Sequence, residues 1–302
     1  MKIVLIGHFC VDVFHRADDS VEKKFGGIYH ALAAMANITS PDDTLLPVVG
    51  VGVEEIHDFK AVVQQWGNVN CSGIFELKGG SNYVHYFDGN PNERVENISP
   101  PIPFETIKPL LSDCDGVYIN MISGSDITLE TMDRIRLAVR KRKVPIHCDI
   151  HCLTLAINPD GTRFRRAMSD WRRWCFMIDS IQMNEEEAEG ISLEQYSNEA
   201  FAKQMMPLMV KVFVITRGKN GATLYREEHK TLKIDHFSEG ANESPVSTIG
   251  SGDIFGASFL YGYLKKKNYL DAARFAQAVA SYSTRFSLSE KHTALQTLKE
   301  LL

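Results

Sequence analysis

A segment of small residues in the last quarter of the chain is the part best suited to chemistry. It reads Thr248-Ile249-Gly250-Ser251-Gly252-Asp253. Apolar residues recur at positions 254, 257, 261 and 264, which predicts a helix that begins directly after the glycines. A helix N-terminus presents unpaired backbone N–H groups, and glycines let the chain curl so that these donors converge on an anion. The segment therefore predicts an anion hole formed by the amides of Gly250, Ser251 and Gly252.

Asp253 lies at the edge of this predicted anion hole. Its carboxylate would repel a bound phosphate, so its expected use is to accept a proton from an incoming nucleophile. An anion hole beside a base indicates phosphoryl transfer to a hydroxyl group. A Walker loop would need a lysine that is absent here, and a dinucleotide fingerprint would need glycine where Phe255 stands. Tight helix packing by small residues is the alternative interpretation of the same spacing.

The composition limits the class of protein. The chain has 302 residues, 44% of them apolar, which fits one large α/β domain or two modest ones. The net charge of −5 argues against a nucleic-acid partner. No apolar run approaches the ~20 residues that span a bilayer, and the N-terminal run does not resemble a signal peptide. Six scattered cysteines are expected as reduced thiols, so we predict a cytoplasmic protein with no membrane partner.

Short apolar runs alternate with helical patterns along most of the chain. Residues 116–120, 129–143 and 144–150 predict a strand, a helix and a strand, an alternation typical of a parallel sheet with helices on both faces. Residues 71–97 differ, because short apolar or β-branched runs are separated there by glycines and a strong turn. We predict that they form a small β lid together with residues at about 12–25. The basic, aromatic stretch from Arg163 to Trp174 predicts an amphipathic surface helix.

The small-residue segment and the residues that follow it, Gly256-Ala257-Ser258-Phe259-Leu260, resemble the C-terminal signature of the ribokinase-like (PfkB) family of carbohydrate kinases. In that family the small residues form the anion hole, and the aspartate at the position of Asp253 is the catalytic base. The resemblance implies a single domain over residues 1–302, folded as an αβα three-layer sandwich with a mostly parallel sheet and a β lid. It also implies an ATP-dependent kinase that phosphorylates a hydroxyl, expected to be a primary alcohol, of a sugar or sugar-like metabolite.

The resemblance extends to the acceptor site. Asp12 matches an aspartate that holds sugar hydroxyls, and two adjacent glycines match a motif whose backbone contacts the substrate. The residues predicted to bind the acceptor are Asp12, Gly26, Gly27, Tyr29 and His30. Ile28 and Ala31 depart from the pattern usual in ribokinases. These departures make ribose itself less well supported and leave a nucleoside kinase as an alternative.

The resemblance also implies a nucleotide site. Residues 184–187 match an Asn-x-x-Glu motif whose glutamate, here Glu187, acts through water on the Mg²⁺ bound to the triphosphate. Residues 216–221 resemble a Thr-x-Gly loop near the ATP phosphates, at the end of a predicted strand where ligands of open α/β sheets gather. The residues predicted to bind the nucleotide are Asn184, Thr216, Gly218, Gly221 and Gln277.

Further departures from the family pattern leave two questions open. Ser247 stands where relatives usually have an aspartate that often helps to bind an activating monovalent cation, so dependence on K⁺ is undecided. His151 replaces the asparagine of an Asp-x-Asn motif that begins at Asp149. Together with Ala31, these changes leave a non-catalytic sugar- or nucleotide-binding protein as a second alternative. Lids of relatives often pair between subunits, so a homodimer through the lid is predicted, and an exposed strand edge would favour it.

Overall fold

The computed structural model describes residues 1–238 and 244–301. The strands, in chain order, are β1 (Lys2–Ile6), β2 (Phe9–His15), β3 (Val21–Gly27), β4 (Thr44–Gly52), β5 (Ile74–Leu77), β6 (Asn82–Phe87), β7 (Asn90–Glu96), β8 (Gly116–Asn120), β9 (Ile146–Asp149), β10 (Leu155–Ile157), β11 (Arg163–Arg165), β12 (Ser180–Asn184), β13 (Val212–Thr216), β14 (Ala222–Glu228) and β15 (Thr231–Phe237). The helices are α1 (Ile28–Ile38), α2 (Ile56–Val63), α3 (Phe104–Ile107), α4 (Leu129–Arg140), α5 (Trp171–Cys175), α6 (Glu185–Gly190), α7 (Asn198–Met205), α8 (Ser251–Lys266), α9 (Tyr269–Ser283) and α10 (Lys291–Ala294).

A large twisted sheet runs through the middle of the chain. Its strand order is β15-β14-β13-β12-β9-β8-β1-β4-β5. Neighbouring strands from β13 to β5 are parallel, and β14 and β15 extend the sheet as antiparallel strands. Because β8, β9, β12 and β13 run parallel to β1, the carboxyl ends of all five strands lie at the same edge of the sheet. Ligands of open α/β sheets bind at that edge.

The strands are apolar on both faces because each face is covered by helices. In β1, Ile3 and Leu5 pack into one hydrophobic core, which also contains residues of α1, α8 and α9. The alternate residues Val4 and Ile6 pack into a second core with residues of α4 and α7. A strand places successive side chains on opposite faces, so one continuous apolar run serves both cores. The predicted three-layer sandwich with a mostly parallel sheet is confirmed.

A second, four-stranded sheet has the order β3-β2-β6-β7. Its strands cover residues 9–27 and 82–96, close to the two predicted lid segments. Within the predicted segment 71–97, however, Ile74–Leu77 pairs in parallel with β4 and extends the large sheet instead. The periodicity of a short strand does not indicate which sheet it joins, because that choice depends on its pairing partner. Closure of this small sheet over the site, and a dimer formed through it, stay predictions.

The prediction of an amphipathic surface helix between Arg163 and Trp174 is wrong. Arg163–Arg165 pairs with β10 as a two-stranded ribbon, and the helix α5 begins only at Trp171. Trp171 and Trp174 are buried, and Trp171 packs on Phe201 with ring centroids 4.7 Å apart. The aromatic residues therefore belong to a core. None of the helices in the described part of the chain has the length and apolar character needed to cross a membrane.

Candidate functional site

The first turn of α8 lies at the ligand-binding edge of the large sheet. Gly250 caps this helix with φ 70°, a left-handed conformation that favours glycine, and a Cβ there would lie 2.5 Å from the ring of His30. The N–H of Ser251 donates to the carbonyl of Thr248 over 3.1 Å and closes the turn. Of the three amides predicted to form the anion hole, those of Gly250 and Gly252 are therefore the ones left to meet a ligand.

Asp253 is held by a neighbour that the sequence analysis did not single out. Nδ2 of Asn120, at the carboxyl end of β8, donates to Oδ1 of Asp253 over 2.7 Å. Within the described residues, Oδ2 of Asp253 accepts no hydrogen bond and is available to a ligand. Enclosure raises the pKa of Asp253 above its ordinary value, although nearby His30 and the Asn120 hydrogen bond lower it. A carboxylate with a raised pKa and one free oxygen is suited to accept a proton.

A cavity of about 280 Å³ opens beside Asp253. Strand ends and loops of both sheets contribute to it, so it lies between the large and the small sheet. Its lining includes Asp12, Gly27, His30, Glu93, Asn120, Arg163, Gly250, Gly252 and Asp253. These side chains can donate to or accept from many hydroxyl groups. The cavity is therefore suited to a small polyhydroxylated molecule.

The predicted acceptor-binding residues only partly meet in this cavity. Asp12 and His30 line it and contact each other, with Nε2 of His30 3.3 Å from Oδ2 of Asp12. Gly26 supports Asp12, because a Cβ on Gly26 would lie 2.3 Å from that carboxylate. Tyr29 points elsewhere and packs against Phe25 and other rings outside this cavity. Tyr29 therefore packs, in the first turn of α1, against a group of aromatic rings.

Arg163 is a site residue that the sequence analysis missed. Its side chain is 5% exposed, and it donates to Oε2 of Glu93 over 2.8 Å and to the carbonyl of Ile122 over 2.5 Å. This ion pair links β11 to β7 of the small sheet and places a guanidinium in the wall of the cavity. The sequence analysis could not identify this role, because the local sequence around a buried arginine does not differ from that around a solvated one.

A second cavity of about 360 Å³ lies on the other side of the first turn of α8. All five residues predicted to bind a nucleotide line it, namely Asn184, Thr216, Gly218, Gly221 and Gln277. Asn184, Thr216 and Gly252 line both cavities, so the two meet at the start of the helix. This meeting point is where the predicted anion hole lies.

Gly221 shapes the loop that bounds the second cavity. It has φ 83°, and a Cβ on it would lie 1.7 Å from the carbonyl oxygen of Phe237. Only glycine fits this close approach of β15. Gly218 also has a positive φ, 51°, but a Cβ there would meet open space.

Glu187 is buried at the start of α6 and is already bonded within the protein. Asn184 and Glu187 form a capping box, in which each side chain accepts from the other's backbone N–H. Nδ1 of His151 lies 2.5 Å from Oε1 of Glu187. Burial by itself would raise the pKa of Glu187, but His151 more than offsets it and the pKa lies below its ordinary value. Glu187 is therefore a carboxylate at neutral pH.

Asp149 and Gln182 complete the polar base of the first cavity. Nε2 of Gln182 donates to the carbonyl of Gly252 over 2.8 Å and lies 3.2 Å from Oδ2 of Asp149. Burial raises the pKa of Asp149 to about 7, and the charge of Glu187 adds to this rise. Gln182 thus ties the end of β12 to the first turn of α8. No group of three or more potential metal ligands occurs among the residues that the structure describes.

Comparison with known proteins identifies the family. A model of the pfkB family carbohydrate kinases matches residues 107–289, which is more than half of the chain. The chain belongs to this family. The matched segment contains α8 and the residues that line the second cavity.

Curated relatives match part of the chain. The 5-dehydro-2-deoxygluconokinase of Clostridium perfringens is 30% identical over 115 residues, which is 38% of this chain and 33% of that relative. The protein of the same name from Shouchella clausii is 29% identical over 106 residues, 35% of this chain and 31% of that relative. The chain thus spans about a third of the length of the curated relatives that it matches.

Solved structures match almost the whole fold. A ribokinase of Giardia lamblia has a TM-score of 0.78 at 17% identity, covering 99% of this chain and 97% of that one. An Arabidopsis thaliana ribokinase complexed with ribose and ATP has a TM-score of 0.75 at 16% identity, covering 99% and 98%. A pyrophosphate-dependent kinase of the ribokinase family, complexed with a pyrophosphate analog and myo-inositol, has a TM-score of 0.76 at 16% identity, covering 94% and 95%. These likenesses establish the fold.

Proposed function

We propose that this protein is an ATP-dependent kinase that phosphorylates a hydroxyl group of a sugar or sugar-like metabolite. One observation carries the proposal: two cavities meet at Gly252, at the N-terminus of α8. Asp253 faces the first cavity, and the second is lined by all five residues predicted to bind a nucleotide. A phosphoryl donor and an acceptor bound in the two cavities would meet at the exposed amides of the helix.

Asp253 acts as the base in this proposal. An acceptor hydroxyl placed at its free Oδ2 would transfer its proton to the carboxylate as the oxygen bonds to the terminal phosphorus of ATP. The bond from that phosphorus to the bridging oxygen would break at the same time, and ADP would leave with the bonding electrons. Asp12, fixed by His30 and by the backbone at Gly26, accepts from other hydroxyls and sets the orientation of the acceptor. Positioning of this kind accounts for much of the rate in phosphoryl transfer.

The amides of Gly250 and Gly252 would stabilise the charge on the transferring phosphoryl group. They lie at the positive end of the sixteen-residue helix α8, where backbone N–H groups and the helix dipole favour an anion. Donors that are already in place cost no reorganisation during the reaction, which makes this type of contribution large.

Magnesium fits the site through water. Glu187 uses three of its roughly four lone-pair positions on Asn184 and His151. The position that remains on Oε2 could accept from one metal-bound water, while phosphate oxygens supply direct ligands. Mg²⁺ commonly keeps several waters in this way. When bound, the ion would neutralise charge on the donor phosphates.

The acceptor cavity favours a sugar or a sugar acid. Its wall combines the carboxylates of Asp12 and Asp253 with the guanidinium of Arg163, which suits several hydroxyls and a polar or anionic substituent. The partial relatives named 5-dehydro-2-deoxygluconokinase support including sugar acids among the candidates. A panel of 5-dehydro-2-deoxygluconate, ribose, fructose, myo-inositol, adenosine and cytidine would separate sugar, sugar-acid and nucleoside kinases.

The donor is tested in the same panel by supplying either ATP or pyrophosphate and measuring ADP or phosphate release. We expect ATP to support turnover, because residues predicted to contact a nucleotide all line the second cavity. Turnover with pyrophosphate alone would contradict the assignment of that cavity to ATP. Binding of ligands without any phosphorylated product would indicate a binding protein instead.

Asp253→Asn tests the base. The substitution keeps the shape of the side chain but removes the proton acceptor, so we expect the turnover rate to fall by about 10²–10⁴-fold with ATP binding retained. Asp133→Asn, an exposed substitution on α4, is the control and should leave the rate unchanged. Full activity of Asp253→Asn would refute the assignment.

A further inference from the structure

Lys291 is a buried cation outside the residues used so far. It is the first residue of α10, and its side chain is 0% exposed. Lysine is almost never fully buried unless it is paired. Within residues 1–238 and 244–301 its ammonium forms no ion pair with a carboxylate, and its hydrogen-bond partners are neutral oxygens.

These oxygens belong to the segment that leads into the first turn of α8. Nζ of Lys291 lies 2.6 Å from the carbonyl oxygen of Ile249, 3.1 Å from that of Ser247 and 3.4 Å from Oγ of Ser247. Carbonyl oxygens that converge on one point are how proteins replace the hydration shell of a small monovalent cation. Here the ammonium of Lys291 fills that point.

The hydrogen bonds from Lys291 to these carbonyls also set the direction in which the N–H groups of the same peptide units point. The described chain has no cis peptide bonds, and in a planar trans peptide the C=O and the following N–H point in opposite directions. The bond from Lys291 to the carbonyl of Ile249 therefore turns the N–H of Gly250 away from the lysine. Gly250 lines the first cavity, on the side where the phosphoryl group would sit. A hydrogen bond to the carbonyl also polarises the peptide and strengthens its N–H as a donor.

The ammonium keeps its charge at neutral pH. Burial lowers the pKa of Lys291 to about 8, and the negative charge of Asp253 opposes that change. The neighbouring His292 is neutral, because burial and His30 hold its pKa well below the ordinary value. The carbonyls of the segment before α8 thus contact the positive charge of Lys291.

We propose that Lys291 is a built-in monovalent cation, which holds the carbonyls of Ser247 and Ile249 and thereby orients the phosphate-binding amides of α8. It is a positioning residue that acts through the loop. The inference rests on the proposed kinase activity and adds a specific consequence: the wild-type enzyme needs no K⁺ or other small monovalent cation.

The wild-type protein gives the first test. Kinase activity is measured with Mg²⁺ and ATP in choline chloride, a cation too large for the carbonyl site, and in KCl or NH₄Cl at equal ionic strength. We expect the same rate in all three salts. A clear requirement for K⁺ or NH₄⁺ would overturn the proposal, because the site would then not already be filled.

Two substitutions remove the charge. Lys291→Ala opens a cavity between the carbonyl oxygens, and Lys291→Gln keeps a hydrogen-bond donor without the charge. In choline chloride we expect either variant to lose about tenfold or more in kcat, with smaller changes in KM, because the misplaced amides act on the transition state. Since NH₄⁺ and K⁺ resemble the lost ammonium in charge and size, they should restore the Lys291→Ala rate in a saturable manner. Lys141→Met, an exposed substitution after α4, should respond to none of these salts.

Thermal unfolding provides a readout that does not depend on activity. NH₄⁺ or K⁺ should raise the Tm of Lys291→Ala above its value in choline at equal ionic strength and leave the wild-type Tm unchanged. This measurement decides the proposal even if no acceptor is phosphorylated, an outcome that would count against the proposed function alone. Equal Tm and rate in all salts for Lys291→Ala would overturn it. If neither variant folds, the salt dependence of the wild-type enzyme decides.

Discussion

Removal of the Asn120 side chain should shift the pH dependence of the enzyme. Nδ2 of Asn120 donates to the carboxylate of Asp253 over 2.7 Å, and this bond favours the charged form of Asp253. A hydrogen bond to a charged group contributes about 1.5–3 kcal/mol, and ~1.4 kcal/mol corresponds to one pH unit. In Asn120→Leu the pKa of Asp253, already raised by its enclosure, should therefore rise by about one to two further pH units.

The direction of the shift follows from the proposed role of Asp253 as the base. The base must be deprotonated to accept a proton, so a higher pKa moves the acid limb of the kcat/KM profile to higher pH. At pH values well above that limb the rate should recover, because the carboxylate is then deprotonated in the variant as well.

The assay is a pH–rate profile with the acceptor identified in the substrate panel. Tyr118→Phe is the matched control. The Tyr118 hydroxyl lies 3.4 Å from the main-chain carbonyl of Asp253 and 3.4 Å from Nδ2 of Asn120, so its loss changes the surroundings of the amide but keeps the bond from Asn120 to the carboxylate. Its acid limb should coincide with that of the wild type. An unmoved acid limb in Asn120→Leu would refute the argument that Asp253 is the titrating base held by this amide.

Two further substitutions test the second cavity. Gly221→Ala should lower the free energy of unfolding by more than ~1–3 kcal/mol and weaken ATP binding, because its Cβ would collide with the carbonyl of Phe237. Gly218 also has a positive φ but faces open space, so Gly218→Ala should lower the free energy of unfolding by less. Equal losses for the two variants in chemical denaturation would contradict this reasoning. Glu187→Gln should raise the Mg²⁺ concentration needed for half-maximal rate, because glutamine can still accept from the backbone N–H of Asn184 but lacks the negative charge. An unchanged Mg²⁺ titration would remove Glu187 from the metal's surroundings.

Much of the site could be predicted from the sequence because its key residues are local in the chain. Gly250, Gly252 and Asp253 lie within four consecutive positions, so their spacing alone predicts a helix N-terminus with a carboxylate beside it. The residues predicted to bind a nucleotide lie at the ends of strands, in the loop after Thr216 or on a helix of recognisable period, and all five line one cavity. The buried strands were equally clear, because runs such as residues 3–6 are apolar at every position.

The residues that the sequence analysis missed act through contacts between distant parts of the chain. Asn120 and Asp253 are 133 positions apart, and Glu93 and Arg163 are 70 positions apart. Lys291 reaches the carbonyl of Ser247 from 44 positions further along the chain. A lone asparagine, arginine or lysine has the same local pattern whether it is solvated or buried, so only the packing of the sheet and helices determines which role it takes. By itself the sequence determined that a helix begins beside the carboxylate of Asp253, because that arrangement is local. The tertiary structure decided what holds the helix and that carboxylate in place.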